Sequence, residues 1–220
     1  MLPTLDRPRM AHRATHYFLE QDYAGPAELH VWDDGEATRQ TCDRCADDPR
    51  VVYRRIARTS LPAKRNGMMR DIGDRDAVYV LWDDDDYHGP ARIRRQVAAL
   101  LTSDRGACLM HPTLYYVRAQ REVALSVGLV ADAACAYRWS FWQTRNWYES
   151  IDPGSGAHWI MERGHQIVRV AAGLDYIVVR HEGEAGVGRH RHLQAPALRP
   201  PGFLPVDVPA TQIEMLLHDA

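Results

Sequence analysis

The 220-residue sequence predicts an α/β fold, with a mostly parallel central sheet and helices on both faces. Three observations lead there. Short apolar runs alternate with amphipathic stretches up to about Leu101, and parallel strands need the crossover connections that helices supply. One run, Val31-Trp32, ends in Asp33-Asp34-Gly35. A second, Val78-Tyr79-Val80-Leu81-Trp82, ends in Asp83-Asp84-Asp85-Asp86. Open parallel sheets bind ligands beyond the carboxyl ends of their strands, so both acidic clusters fall where a ligand would sit.

Met1 to Thr4 reads as a short strand end, followed by a turn at Asp6-Arg7-Pro8 and a helix through about Gln21. Ala27 to Trp32 suits a buried strand opening into a loop, Glu36 to Ala46 a helix and Val51 to Arg54 a strand. Lys64 to Asp71 is expected to be helical. Ala77 to Trp82 is the most strand-like segment, and a helix from about Pro90 to Leu101 follows, proline suiting a first turn. Beyond Leu101 the rhythm changes. Ala107 to Arg118, Ala131 to Ala136, Ile167 to Val170 and Tyr176 to Arg180 look extended, whereas Arg138 to Arg145 and Ala157 to Arg163 look helical. The proline-rich stretch from Gln194 to Pro209 is expected to run over the surface before a short helix at Thr211 to His218. One domain over 1–193 with a tail at 194–220 is the expected organisation.

Composition narrows the class. With 45% hydrophobic and 25% charged residues the chain can bury a full core, and a net charge of −2 leaves no overall positive field for a polyanion. No apolar run approaches the roughly 18 to 20 residues of a membrane span, and no basic-then-apolar leader is seen, so a cytoplasmic location is expected. Cys42 and Cys45 form the one Cys-x-x-Cys pair. Without a second ligand pair or a preceding strand they read as free thiols, not as a zinc or redox site.

Chemistry concentrates on the four consecutive aspartates, which would repel one another strongly unless a cation sat among them. A hard divalent ion, Mg²⁺ or Mn²⁺, answers that problem and keeps open positions for phosphate oxygens. The bland reading of a charge run is a solvated acidic turn. Its place at the end of a buried strand, with Tyr87 and a proline-started helix following, argues against that.

The segment from Trp82 through Asp83 to Asp86 and on to Leu101 resembles the metal-site segment of family 2 glycosyltransferases. Pro3-Thr4-Leu5-Asp6-Arg7-Pro8 resembles that family's Pro-Thr-Tyr-Asn-Arg-Pro turn, Val31 to Gly35 its Val-Val-Asp-Asp-Gly strand end, and Ala63-Lys64-Arg65-Asn66 its Ala-Arg-Asn piece. The order is the family's order. The resemblance implies a GT-A fold, with 1–102 as the nucleotide-sugar half and 103–193 as the acceptor half.

It also implies roles. Thr4, Arg7 and Asp34 would hold the nucleoside, with Asp34 pairing with the base. Asp83 and Asp85 would surround the metal, Asp84 would lie near the ribose, and Lys64 and Arg65 would meet diphosphate oxygens. Tyr176-Ile-Val-Val-Arg180-His181 resembles the strand-then-histidine segment in which a histidine, here His181, completes the metal shell. The implied activity is metal-dependent, inverting transfer from a nucleotide-diphosphate sugar, with UDP the family's usual nucleotide.

Two departures stand out. The first strand is nearly absent, and the family's Glu-Asp pair, which supplies the acceptor's base, is replaced by Ser155-Gly156. Asp152 is therefore the first candidate base and His158 the second. A small molecule or glycan is the expected acceptor. Arg92-Ile-Arg94-Arg95 and Arg189-His-Arg191-His192, with Trp139, Trp142 and Trp147, leave a nucleic acid carrying a hydroxylated base as an alternative. Two further classes stay open: a sugar-nucleotide-binding protein without transfer, and a metal-dependent nucleotidyltransferase, against which the lack of a Gly-rich phosphate loop speaks.

Overall fold

The computed structural model describes residues 1–36, 48–144, 146, 159–181 and 202–218. Strand β1 (Leu2–Thr4) pairs in parallel with β2 (Leu29–Asp33), and β2 in turn with β3 (Val51–Arg55). The crossover between β1 and β2 is helix α1 (Pro8–Leu19), whose Met10, Ala11, Ala14, Tyr17 and Phe18 recur at helical spacing and are buried. Helix α2 (Leu61–Ile72) starts at Ser60, whose hydroxyl accepts from Ala63 N at 3.3 Å, and stops at Gly73, where φ is 63°.

The apolar run before the aspartates changes partner along its length. Its first part forms β4 (Val78–Val80), antiparallel to β9 (Cys135–Arg138). Leu81 N still donates to Cys135 O at 3.0 Å, but Trp82 N donates to Met1 O at 3.0 Å, beside β1. Trp82 is buried and its indole donates to Ala14 O of α1 at 2.8 Å. The run thus crosses from one sheet to the other and delivers the four aspartates at the junction. The short β5 (Tyr87–His88) and helix α3 (Arg92–Leu101) follow.

The later half mixes strand directions. The expected extended stretch from Ala107 to Arg118 is two strands, β6 (Ala107–Met110) and β7 (Thr113–Val117), divided at a cis His111–Pro112 bond. Strand β8 (Glu122–Ser126), which the sequence reading omits, forms an antiparallel hairpin with β7 across a turn with Arg121 at φ 51°. Asp132–Ala134 is a 3₁₀ turn and not the start of a strand, so β9 begins at Cys135. Helix α4 (Trp139–Gln143) comes next, and residues 159–161 are helical. Strands β10 (Ile167–Val170) and β11 (Tyr176–Arg180) run parallel to β6 and β7 respectively. In the proline-rich tail, β12 (Phe203–Pro205) adds an edge strand to β8, where a proline is tolerated, and helix α5 (Ala210–His218) ends the described chain.

Parallel pairing therefore dominates the first sheet, β1-β2-β3, while β10-β6-β9-β4 and β12-β8-β7-β11-β5 are mixed. The α/β class stands. Two large apolar clusters fill the layers, one around Trp159, Tyr137 and Met68, the other around Leu2, Val31, Trp82 and Tyr116. Most of the expected helix from Glu36 to Ala46, with Cys42 and Cys45, lies outside the described residues. Cys108 and Cys135 are buried free thiols, and burial pushes the Cys108 thiol up to about 12, which suits packing and not redox chemistry. Among the described residues no helix is long and apolar enough to cross a membrane.

Candidate active site

Each aspartate of the run has a different environment. Asp83 and Asp85 keep side-chain exposures of 25% and 24%, whereas Asp84 and Asp86 are buried. Asp83 Oδ1 accepts from Arg65 Nη2 at 3.0 Å. Asp84 Oδ2 accepts from Thr4 Oγ1 at 2.6 Å, and its Oδ1 lies 2.7 Å from Arg7 Nη2. Asp85 Oδ2 accepts from Arg7 Nη1 at 2.9 Å. Asp86 accepts from the Tyr176 hydroxyl and, at 3.0 Å, from Val179 N of β11.

The outcome is a convergence of three carboxylates. Asp83, Asp85 and Asp86 each offer an oxygen, and these oxygens lie within 4.8 Å of one another. Hard, anionic oxygen donors at that spacing fit Mg²⁺ or Mn²⁺. The local electrostatics agree. Burial, with like charges alongside, holds the Asp83 and Asp86 carboxyls above their ordinary range. Burial also pushes Asp84 up to about 7, against the opposing pull of Arg7.

These shifts have a sign. A carboxyl whose folded pKa is raised binds more protons in the native state, so between about pH 4 and about pH 7 Asp84 makes the metal-free protein more stable as pH falls. A cation held by Asp83, Asp85 and Asp86 would favour the opposite, because those carboxylates take it in their ionised forms. Because the Asp83 and Asp86 carboxyls lie above their ordinary range, Mn²⁺ binding is expected to weaken as pH falls and to release protons. Calorimetric titration at pH 6 in two buffers of different ionisation enthalpy measures this directly. Identical heats in both would contradict it.

The other predicted residues gather around the same turn. Asp34 ends the second acidic cluster, and both of its oxygens are engaged. Oδ1 pairs with the buried Lys64 ammonium and Oδ2 accepts from Thr59 N at 3.0 Å. Lys64 Nζ also donates to Thr4 O at 2.9 Å, tying α2 to β1. Burial lowers its pKa, although Asp34 pulls the other way. Neighbouring Asp33 accepts from Gly35 N at 2.8 Å and from the Tyr53 hydroxyl at 2.7 Å, which shapes the loop. Arg65 is buried and bridges Asp83 to Asp132, whose Oδ2 is 2.5 Å from Nη1. His181, at the end of β11, places Nε2 3.0 Å from the main-chain oxygen of Asp85.

Thr4, Arg7, Lys64, Asp34, Asp84, Asp85 and His181 are thus joined by hydrogen bonds, and the Arg65–Asp83 pair meets them through the backbone of the aspartate run. Sequence reasoning missed Asp86 as a third converging carboxylate, Tyr176 as its partner, and Asp132. The adjacency of Asp86 to the motif was a usable signal. Asp132 had none, since it sits in a stretch that reads as extended.

The candidate bases Asp152 and His158, and the Ser155-Gly156 replacement, lie outside the described residues, as do Trp147 and the stretch from Arg189 to His192. The other basic stretch is not an open patch. Arg92 is buried, Arg94 Nη2 pairs with Asp22 at 3.0 Å and Arg95 pairs with Asp175. Trp142 is buried with its indole on Asn66 Oδ1 at 3.0 Å, and Trp139 packs against the same core.

The sequence profile described as Glycosyl transferase family 2 matches residues 1–157. No protein of curated function matches by sequence. Among solved structures, Staphylococcus aureus TarS 1-349 in complex with UDP-GlcNAc is similar with a TM-score of 0.61 and 15% identity, over 83% of this chain and 58% of that one. The mannosyltransferase PcManGT from Pyrobaculum calidifontis, in complex with GDP-Man and Mn²⁺, is similar with a TM-score of 0.58 and 14% identity, over 84% of this chain and 56% of that one. The chain spans less than three fifths of the length of either. At these identities the likeness is one of fold, and the fold is GT-A.

Proposed function

We propose, on the premise that this chain belongs to glycosyl transferase family 2, that it moves a sugar from a nucleotide-diphosphate sugar to an acceptor hydroxyl with inversion. The observation that carries this reading is the convergence of Asp83, Asp85 and Asp86 beside Thr4, Arg7, Lys64 and Arg65. Carboxylates alone would suit many cation sites. Carboxylates ringed by cations and a hydroxyl, at the mouth of an α/β sheet, suit a cation and a diphosphate together.

Asp83, Asp85 and Asp86 would hold Mn²⁺ or Mg²⁺, with His181 beside the turn. Bound there, the ion would neutralise charge that builds on the departing diphosphate. Arg7 and Arg65 already touch the aspartates, so each can exchange a carboxylate oxygen for a phosphate oxygen over a short distance. Lys64 has no such freedom while it pairs with Asp34, and its part is to fix the floor on which the nucleoside rests. Asp34 would then meet the base by moving one of its two oxygens. Asp152, and after it His158, would take the proton of the acceptor hydroxyl.

A UDP-sugar is the first donor to test. The structural neighbours hold UDP-GlcNAc in one case and GDP-Man with Mn²⁺ in the other, which supports a nucleotide sugar as the class. The acceptor would be a small molecule or glycan. With Arg92, Arg94 and Arg95 engaged internally, the nucleic-acid alternative loses one of its two basic stretches. A second reading, donor binding without transfer, is motivated by Ser155-Gly156 at the place of the family's Glu-Asp pair.

The test is a thermal-shift panel of UDP-, GDP- and dTDP-sugars with and without Mn²⁺, followed by release of nucleotide from the best donor. A ligand present at about a hundred times its Kd stabilises the native state by about 2.7 kcal/mol, which is a shift of a few degrees for a domain of this size. At least one donor is expected to give that shift only with the ion. No shift from any donor would remove the reading, and a shift without nucleotide release in the presence of acceptors would favour binding alone.

A further inference from the structure

Behind the aspartate turn lies a buried cation that touches none of the four carboxylates. Arg92, the first residue of α3, is completely buried. Its Nη2 donates to Leu81 O at 2.7 Å and to Ala133 O at 2.5 Å, its Nε to Gln96 Oε1 at 3.3 Å, and its Nη1 meets His88 Nδ1. The guanidinium is held between two rings, 4.9 Å from the centre of Trp82 and 4.4 Å from that of Tyr176. Gln96 continues the network, donating to Ala134 O at 2.9 Å.

His88 converts this into a hold on the motif. Its Nε2 is 2.8 Å from Asp83 O. A carbonyl can only accept and a guanidinium can only donate, so the proton is assigned to Nε2 and the lone pair to Nδ1. The ring is therefore a neutral relay from Arg92 to the main chain of Asp83. It also stacks on Trp82, with centroids 4.0 Å apart and planes at 18°. Tyr176, the other ring against the guanidinium, is the residue whose hydroxyl donates to Asp86.

Every end of the turn is thereby reached from one side chain. Leu81 O precedes the acids, Asp83 O lies within them, Asp86 is reached through Tyr176, and Ala133 O adjoins Asp132, the second partner of Arg65. The chemistry is specific to arginine, because a planar fork with several donors serves acceptors in different directions while its faces stack, and an ammonium cannot. A buried cation without a contacting carboxylate is costly, and the fields of Asp86 and Asp83 offset part of that cost, burial still lowering the Arg92 pKa.

We propose that Arg92, acting through His88, is a positioning residue that fixes the spacing of the aspartate turn, so that the metal-binding carboxylates are aimed before any ion arrives. The inference rests on the reading of that turn as a metal site. Supporting shells of this kind typically alter metal affinity by about 10- to 100-fold when removed.

The test compares Arg92→Lys, which keeps the charge but not the fork, and His88→Asn, which breaks the relay, with the parent and with Asp85→Ala. Free Mn²⁺ is followed by electron paramagnetic resonance during titration in the presence of UDP, well below each protein's melting temperature. Both variants are expected to lose about tenfold or more in Mn²⁺ affinity while remaining folded by circular dichroism. If Arg92→Lys does not fold, His88→Asn decides alone. Folded variants that melt earlier yet bind Mn²⁺ as the parent does would show a structural role only and overturn the inference. A parent that binds no Mn²⁺ would overturn the metal reading and this inference together, and Asp85→Ala separates specific binding from surface binding.

Discussion

Asp85→Ala is expected to abolish Mn²⁺-dependent nucleotide binding while leaving the fold intact. Asp85 is partly exposed and, among the described residues, its carboxylate pairs with Arg7, which keeps Asp84 as a partner when Asp85 is removed. Asp83 and Asp86 then lose a like-charged neighbour that now holds their pKa values up, so stability should be unchanged or slightly raised. The cation site, by contrast, loses one of three converging oxygens. A loss of at least about a hundredfold in UDP affinity with Mn²⁺ is expected, equivalent to about 2.7 kcal/mol, and little change without the ion. Calorimetry with UDP, with and without Mn²⁺, measures both. Parent-like, metal-dependent affinity in the variant would move the cation away from this turn.

Lys64→Met is expected to have the largest effect on stability. Lys64 and Asp34 are an ion pair whose side chains are 5% and 1% exposed, and removing the cation leaves a buried carboxylate with Thr59 N as its remaining donor among the described residues. Breaking such a pair from one side costs about 3 to 5 kcal/mol, because the surviving charge is neither solvated nor balanced. Thr4 O loses the shorter of two donors as well, keeping Asp34 N at 3.4 Å. The double variant Lys64→Met with Asp34→Asn is expected to regain much of the loss, since the amide can still accept from Thr59 N and carries no charge. Urea unfolding of the parent, both single variants and the double variant reports the coupling. A loss under about 1 kcal/mol for Lys64→Met would mean that water reaches Asp34.

The part of the fold that was legible in the sequence is the part whose strands alternate with helices. Leu2 to Thr4 and Leu29 to Asp33 end where acidic or turn residues begin, and the period-3.6 pattern of α1 fills the gap between them. The β7–β8 hairpin was not legible because its turn, Arg118 to Arg121, contains no glycine, asparagine or proline to mark it. The division between β6 and β7, which belong to different sheets, did carry a usable signal in Pro112, since proline cannot donate to a ladder.

In the site, residue types in a motif could be read, and their partners could not. That Asp83 to Asp86 form one acidic group is local information. That Asp84 faces Thr4 while Asp86 faces Tyr176 depends on pairings 80 and 90 residues apart in sequence. Arg92 shows the limit most clearly. On paper it is one of three arginines in a basic stretch on a helix, and in the fold it is fully buried while Arg94 is exposed.

The crossing of the aspartate run from one sheet to the other also bears on how the chain acquires its structure. The contacts that define the site join Thr4 to Asp84, Arg65 to Asp132 and Asp85 to His181, with separations of 80, 67 and 96 residues. Contacts that close such long stretches of chain are slow to form, because the entropy of closure is lost before the contact is gained. Any nucleotide and cation affinity of this turn is therefore expected to appear late in folding, once Trp82 seats against α1 and the two sheets meet. Recovery of binding during refolding would serve as a clock for that docking, running behind the return of helical signal.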